Sequence, residues 1–225
     1  MERVYGLRRE DLILEPGREV VDADRARYED WLAARRAAQE AGARPSVRVR
    51  VVTEWARAKP DGGEAVDVEL IEAVARGPRP SGPRFGTLVH ATLATVALDA
   101  TPAQIAEAVS LQARILGAPA DEARAATALV ASALTHPLIL RARDAWRAGR
   151  CRRETPVGCR EPDGSLIEGV LDLAFEDADS WTVIDFKTDA EIAAELARYR
   201  RQVGLYASVI SRATGKSARG VLLRL

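Results

Sequence analysis

At 225 residues, with 47% hydrophobic and 29% charged content, the chain can bury one substantial core and a smaller satellite, which excludes the disordered and fibrous classes. Its 33 basic and 33 acidic residues cancel, so no overall charge marks a polyanion partner, although a balanced total leaves room for a basic cleft on one face. Two cysteines, Cys151 and Cys159, are too few for a disulfide framework or a four-thiolate cluster; with no apolar run of about 18 residues and a charged amino-terminal end, the expectation is a soluble, cytoplasmic protein with no membrane contact.

In chain order, "DADRARYEDWLAARRAAQEAG" (22–42) predicts an amphipathic helix with Ala26, Trp31, Leu32 and Ala38 among many charges, closed by Gly42. "SVRVRVVTEWA" alternates Val47, Val49 and Val51 with arginines, which is strand periodicity. Prolines and glycines in "PDGG" and "RGPRPSGPR" make residues 60–84 a linker around a short apolar piece, Val66 to Val74, and set a boundary near Ser81. From Phe85 the pattern becomes regular. "RFGTLVHATLATVALD" is helical, and "TPAQIAEAVSLQARILG" follows with Thr101 as cap and Pro102 at the first helical position. A third helical stretch, about 120–146, is interrupted at His136 and Pro137, where an interior proline ends or kinks a helix. "RRETPVG", "SLIEGVLDLAF" and "SWTVIDFK", separated by "EPDG" and "EDADS", predict a three-strand meander, followed by a helix from about Ala190 to Ala213 and a last strand "ARGVLLRL".

The chemistry concentrates in "GVLDLAFEDADSWTVIDFKTD", where Asp172, Asp185 and Lys187 stand among apolar neighbours that make solvating a charge expensive. Side chains two apart on a strand share a face, so Asp185 and Lys187 project together while Ile184 and Phe186 face the opposite way, and an antiparallel neighbour brings Asp172 toward the same spot. Two carboxylates and an ammonium at one sheet edge call for a further cation, and Mg²⁺ favours a few carboxylates plus water and phosphate oxygens. Taken alone, Asp-x-Lys is equally a same-face ion pair contributing about 0.2–1 kcal/mol. Only Lys59, Lys187 and Lys216 are lysines, and asparagine is absent, a bias toward Arg and Ala against which a lysine inside an apolar strand is informative. Arg is a poor substitute where a compact ammonium must sit beside a reacting group.

His90 in "GTLVH", Glu154 in "RRETP", Asp172 in "EGVLDL", Asp185 and Lys187 in "VIDFKT", and Gln202 with Tyr206 in "QVGLY" resemble, in order, the motifs of the nuclease domain at the C-terminus of RecB and AddA helicase-nucleases, within the PD-(D/E)xK superfamily. The resemblance covers roughly residues 84–225. It implies an α/β fold with a restriction-endonuclease-like core (helices, three-strand meander, helix, strand), carried by residues 81–225, with residues 1–80 as a helical and extended appendage like the tail of a helicase. It also implies that His90, Asp172 and Asp185 bind Mg²⁺ or Mn²⁺, that Lys187 is the catalytic lysine, that Glu154 supports the site, and that Gln202 and Tyr206 lie beside the substrate.

The residues themselves leave alternatives open. Gly86, four before His90, lets that helix approach the sheet closely enough for an imidazole to reach a metal. Glu154, between Arg153 and Thr155, is either a surface ion-pair partner or a group near the metal; Glu168 shares a nominal face with Asp172 and competes with it as a ligand; Tyr206 is either core or site. Arg198, Arg200 and Arg201 are a solvated face or phosphate contacts. His136, before a proline, is structural. "ATGKSARG" imitates the end of a phosphate-binding loop, but Ile210 stands where its first glycine belongs, so no ATP site is expected, nor, with two cysteines, an iron–sulfur cluster. The resulting expectation is a Mg²⁺- or Mn²⁺-dependent deoxyribonuclease acting on DNA ends, single strands preferred, in recombination or repair, its partners being DNA and a separate helicase. The alternative is a catalytically inactive DNA-binding or assembly module derived from a helicase-nuclease.

Overall fold

The computed structural model of the protein describes residues 17–58, 67–73, 80–188 and 195–225. The chain divides into two units, Met1–Val47 and Arg48–Leu225. In the first, α1 (Arg18–Ala43) is a 26-residue helix that buries none of its residues. On its surface Tyr28 stacks on Trp31 at 5.9 Å between centroids, and Arg35 lies over the Trp31 ring.

The second unit is a mixed α/β structure around six described strands: β1 (Val49–Val51), β2 (Val68–Glu72), β3 (Cys151–Arg160), β4 (Leu166–Asp177), β5 (Ser180–Lys187) and β6 (Ala218–Arg224). The order is β1-β4-β5-β6-β2, with β3 pairing β4. Two apolar clusters mark its faces. One joins α3 (Pro83–Thr95), α4 (Pro102–Leu116), α5 (Ala120–Thr135) and α6 (Pro137–Arg147) to Leu173, Phe175, Ile184, Phe186, Val221 and Leu223 of the strands. The other joins α2 (Val52–Ala58) and α7 (Leu196–Thr214) to Ile167, Leu171, Val183 and Leu222.

Local signals account for the helix starts. Pro83, Pro102 and Pro137 each open a helix, where the missing N–H costs nothing. Thr101 and Gln104 form a reciprocal capping box, and Gly117 closes α4 in the left-handed conformation. The break expected at His136 and Pro137 separates α5 from α6 with a bend of 71°, and His136 caps α6 by accepting at Nδ1 from the Leu138 N–H. No single described helix is long and apolar enough to cross a membrane.

Residues 48–73 depart most from expectation. The strand read over 46–56 lasts three residues and gives way at Val52 to α2, because Val52, Trp55 and Ala56 bury at helical spacing. The apolar piece expected inside a linker is β2, paired parallel with β6 from Val68 opposite Gly220 to Glu72 opposite Arg224. Both segments therefore belong to the sheet on which residues 81–225 are built. The helix expected from Ala190 is described from Leu196, and positions 190–194 of that expectation lie outside the described residues.

One irregularity organises the site. β3 pairs antiparallel along one edge of β4, from Cys151 opposite Phe175 to Arg160 opposite Leu166. The other edge of β4 is shared: β1 pairs with Leu166–Glu168 and β5 with Leu173–Asp177, so residues 169–172 meet no described strand there. Leu171 packs in the α2/α7 cluster and Leu173 in the α3–α6 cluster, although residues two apart on a regular strand share a face. β4 thus changes face at Asp172. β3 makes the same change, since Cys151 packs against the first cluster and Val157 and Cys159 against the second. Midway lies Glu154, which the register sets across from Asp172 and whose φ is 44°.

A residue with a Cβ in this left-handed region costs about 1–2 kcal/mol. Glu154→Gly is therefore expected to be about 1 kcal/mol more stable than Glu154→Ala in urea unfolding, since both lack the carboxylate and only the alanine keeps the strain.

Candidate active site

The β4–β5 ladder ends at Leu173 opposite Ile184, one step before the register would pair Asp172 with Asp185. In place of the next ladder bond, Asp172 Oδ2 accepts from the backbone N–H of Phe186 at 2.9 Å. This opens a gap between the strands, reached from both helical layers. From α3, His90 brings Nδ1 to 3.6 Å from Asp172 Oδ2, its ring set edge-on to Phe186 with centroids 6.4 Å apart. From α7, Gln202 donates to Asp185 Oδ1 at 3.4 Å and to the Tyr206 hydroxyl at 3.5 Å.

Asp185 is 3% exposed. The Lys187 ammonium lies 2.5 Å from its Oδ2 as an ion pair, yet off hydrogen-bonding angles, so among the described residues this buried oxygen has no hydrogen bond. Burial first, and then the neighbouring Asp185 charge, push the Asp172 carboxyl up to about 8, against the pull of the Phe186 N–H and Lys187. Burial also raises the Glu154 carboxyl, with Arg153 opposing. Arg153 itself donates to the Leu93 carbonyl, tying β3 to the last turns of α3. Burial lifts the Tyr206 hydroxyl to about 12, so it stays protonated.

Among the described residues, no three His, Cys, Asp or Glu side chains are placed so as to hold a metal ion. The donor chemistry nevertheless fits a divalent cation. A buried carboxylate oxygen lacks a hydrogen bond, and a second carboxyl is kept from ionising by its burial and by the first; a positive ion between them relieves both. Asp172, Asp185 and His90 are the donors that could hold one. Glu168 does not join them: it is exposed, four residues before the face change, and sits across from Gly158.

A sequence profile described as the PD-(D/E)XK nuclease superfamily matches residues 66–225. The chain belongs to this superfamily. It is also 37% identical over 67 residues to an ATP-dependent helicase/nuclease subunit from Alkaliphilus oremlandii (strain OhILAs), covering 28% of this chain and 6% of that protein. The corresponding helicase/nuclease subunit from Alkaliphilus metalliredigens (strain QYMF) is 34% identical over 64 residues, covering 27% and 5%. The chain thus matches only a small fraction of the length of these relatives.

Within this PD-(D/E)XK nuclease fold, the remaining expected residues fall into place unevenly. Gln202 and Tyr206, expected beside the substrate, are 8% and 3% exposed; Gln202 reaches Asp185, and Tyr206 reaches Gln202. Of the three arginines weighed as phosphate contacts on α7, Arg201 donates to the Ala56 carbonyl of α2, Arg198 pairs with Glu195, and Arg200 is exposed. "GKS" forms no loop for a phosphate: Gly215 closes α7 at φ 70°, and Lys216 pairs with Glu176. Cys151 and Cys159 are free thiols on β3, both pushed up by burial.

Two glycines that shape the site differ in how visible they are. Gly86, expected to allow a close approach of α3, does so: a Cβ there would meet Thr188 Oγ1 at 3.0 Å, just past β5. Gly169 lies outside the expected site residues. A Cβ on it would stand 2.7 Å from both the Tyr206 hydroxyl and Val52 Cγ2. The signal for it in the sequence is a glycine inside a strand pattern, which marks close approach of another group. Tyr199 is likewise outside the expected set, although Tyr199, Gln202 and Tyr206 share one helix face at i, i+3 and i+7.

Gly169→Ala is expected to destabilise by about 1–3 kcal/mol, as overpacking does, with Tyr206 fluorescence reporting the displaced ring. The pH dependence follows from Asp172. Its carboxyl binds a proton more tightly folded than unfolded, so this stabilisation is complete below its ordinary range and is lost as pH rises from about 4 to about 8. In chelator, Tm should fall across this window, Asp172→Asn should flatten the fall, and added Mg²⁺ or Mn²⁺ should raise the wild-type Tm more at pH 8 than at pH 5.

Proposed function

We propose that the protein is a divalent-metal-dependent nuclease that hydrolyses phosphodiester bonds in DNA, working from DNA ends with a preference for single strands, in recombination or repair within the cytoplasm. The observation that carries this reading is the meeting of His90, Asp172, Asp185 and Lys187 at one gap in the sheet of a PD-(D/E)XK nuclease superfamily chain.

In this reading a Mg²⁺ or Mn²⁺ ion would be held by Asp172, Asp185 and His90, and when bound it supplies Lewis acidity to a phosphoryl oxygen and acidifies water. The chain's own residues do the rest. Lys187 presents a compact ammonium beside the carboxylate pair, where it stabilises the negative charge that builds on phosphoryl oxygens during attack. Gln202 fixes the orientation of Asp185 through Oδ1, leaving Oδ2 toward the ammonium, and the neutral Tyr206 hydroxyl holds Gln202 in turn. Phe186 orients the His90 ring on one side and the Asp172 carboxylate, through its N–H, on the other. Glu154 adds a third carboxylate whose field reaches Asp172. Exposed Arg200 on α7 gives the DNA backbone a positive contact. The partial likeness to helicase/nuclease subunits supports a separate helicase as partner.

The test compares linear single-stranded, linear duplex and circular DNA with Mg²⁺ or Mn²⁺. The wild type should degrade linear single strands fastest, and Lys187→Ala should lose about 10²–10³ in kcat, the range for removing one preorganised charge-stabilising donor. Intact DNA under every condition would leave an inactive binding or assembly module as the answer, and unchanged cutting by Asp185→Ala would overturn the site proposed here.

A further inference from the structure

Tyr199 is the group that Lys187 lies against. The Lys187 ammonium stands 4.4 Å from the Tyr199 ring centroid, within the range of a cation–π contact. The Lys187 side chain is 13% exposed, so its charge has given up most of its water. Its two described counterparts are Asp185 Oδ2 and the electron-rich ring. The Arg198 guanidinium lies 4.7 Å from the same centroid, so the ring is itself bordered by a second side chain of α7.

The geometry points to Tyr199 as a positioning residue for Lys187, its ring fixing the ammonium independently of Asp185. This rests on the nuclease reading for its catalytic consequence. A lysine stem has many accessible rotamers, and one ion-pair contact sets a distance without setting a direction. The ring face supplies a second contact that does not depend on that oxygen. The arrangement matters because Asp185 Oδ2 is also the oxygen a divalent ion would draw upon. An ammonium held by that oxygen alone would lose its anchor to the competing cation. The Tyr199 ring carries no net charge for the ion to claim, so it keeps the ammonium beside the carboxylates while Asp185 is shared. The i, i+3, i+7 face of α7 then has one task along its length: Tyr199 places the lysine, and Gln202 with Tyr206 places the carboxylate the lysine faces.

The three lysines make this directly observable. In metal-free protein labelled with carbon-13 at the lysine ε-position, Lys187→Arg assigns the Lys187 signal. That signal should be displaced by the ring current in the wild type and in Tyr199→Phe, and should move to the ordinary lysine position in Tyr199→Leu, which keeps apolar bulk without the ring. With Mn²⁺ and DNA, Tyr199→Leu should lose about tenfold in kcat, the size of a desolvated cation–π contact, with KM unchanged, and Tyr199→Phe should recover most of it. An undisplaced Lys187 signal in the wild type, or one unmoved in Tyr199→Leu, overturns the assignment. So does a Tyr199→Leu protein that cuts like the wild type while Lys187→Ala does not. If the wild type leaves DNA intact but shows the displaced signal, the nuclease reading fails and the placement of Lys187 by Tyr199 stands.

Discussion

Two carboxylates that the strand register sets face to face, in a place too dry for both to be charged comfortably, are the constraint from which the rest of this structure follows. A sheet would normally close its hydrogen-bond ladder across Asp172 and Asp185. Here the ladder stops one pair early, and the freed Phe186 N–H goes to Asp172 instead. The carboxylates are then supported from both layers, by an imidazole on α3 and an amide on α7.

Opening a sheet between two neighbours leaves backbone groups to be satisfied, and several separate segments contribute. β1 covers the far end of the shared edge of β4, and α2 and α7 lay Val52 and Tyr206 against Gly169. Arg201 ties α7 back to α2 through the Ala56 carbonyl. On the opposite edge, β3 follows β4 through its change of face at the expense of a left-handed glutamate. Strain of this kind persists where surrounding contacts over-determine it, and such positions cluster at functional sites.

What the sequence discloses and what it withholds divide along a physical line. Thr101 with Pro102, the His136–Pro137 break and the Asp185–Lys187 pair are local facts, set by capping, by a missing N–H and by the period of a strand, and each can be read from adjacent letters. The meander is equally legible because its strands are consecutive. The parallel pairings of β1 with β4 and β2 with β6 join segments far apart in the chain, and no periodicity announces a partner across such distances. The face change at Asp172 defeats pattern reading for another reason. Alternation assumes that positions 168 and 172 point alike, which is why Glu168 reads as a rival ligand, and the assumption fails where the strand turns over. Tyr199 reads as an ordinary aromatic on an amphipathic helix until the lysine opposite it is known.

The placement of β6 carries a consequence for how the molecule is made. It is the latest described strand in chain order, yet it lies inside the sheet, parallel to both β5 and β2. On the ribosome, the strand bearing the acidic and basic pair would therefore emerge with one flank bare and keep it so until residues 218–224 are synthesised. A bare flank of this sort is a template for wrong partners. Chain elongation, rather than any earlier hairpin, would set the moment at which the Asp172, Asp185 and Lys187 cluster first takes shape, and a nascent chain stalled before that point would be prone to aggregate with the cluster still unformed.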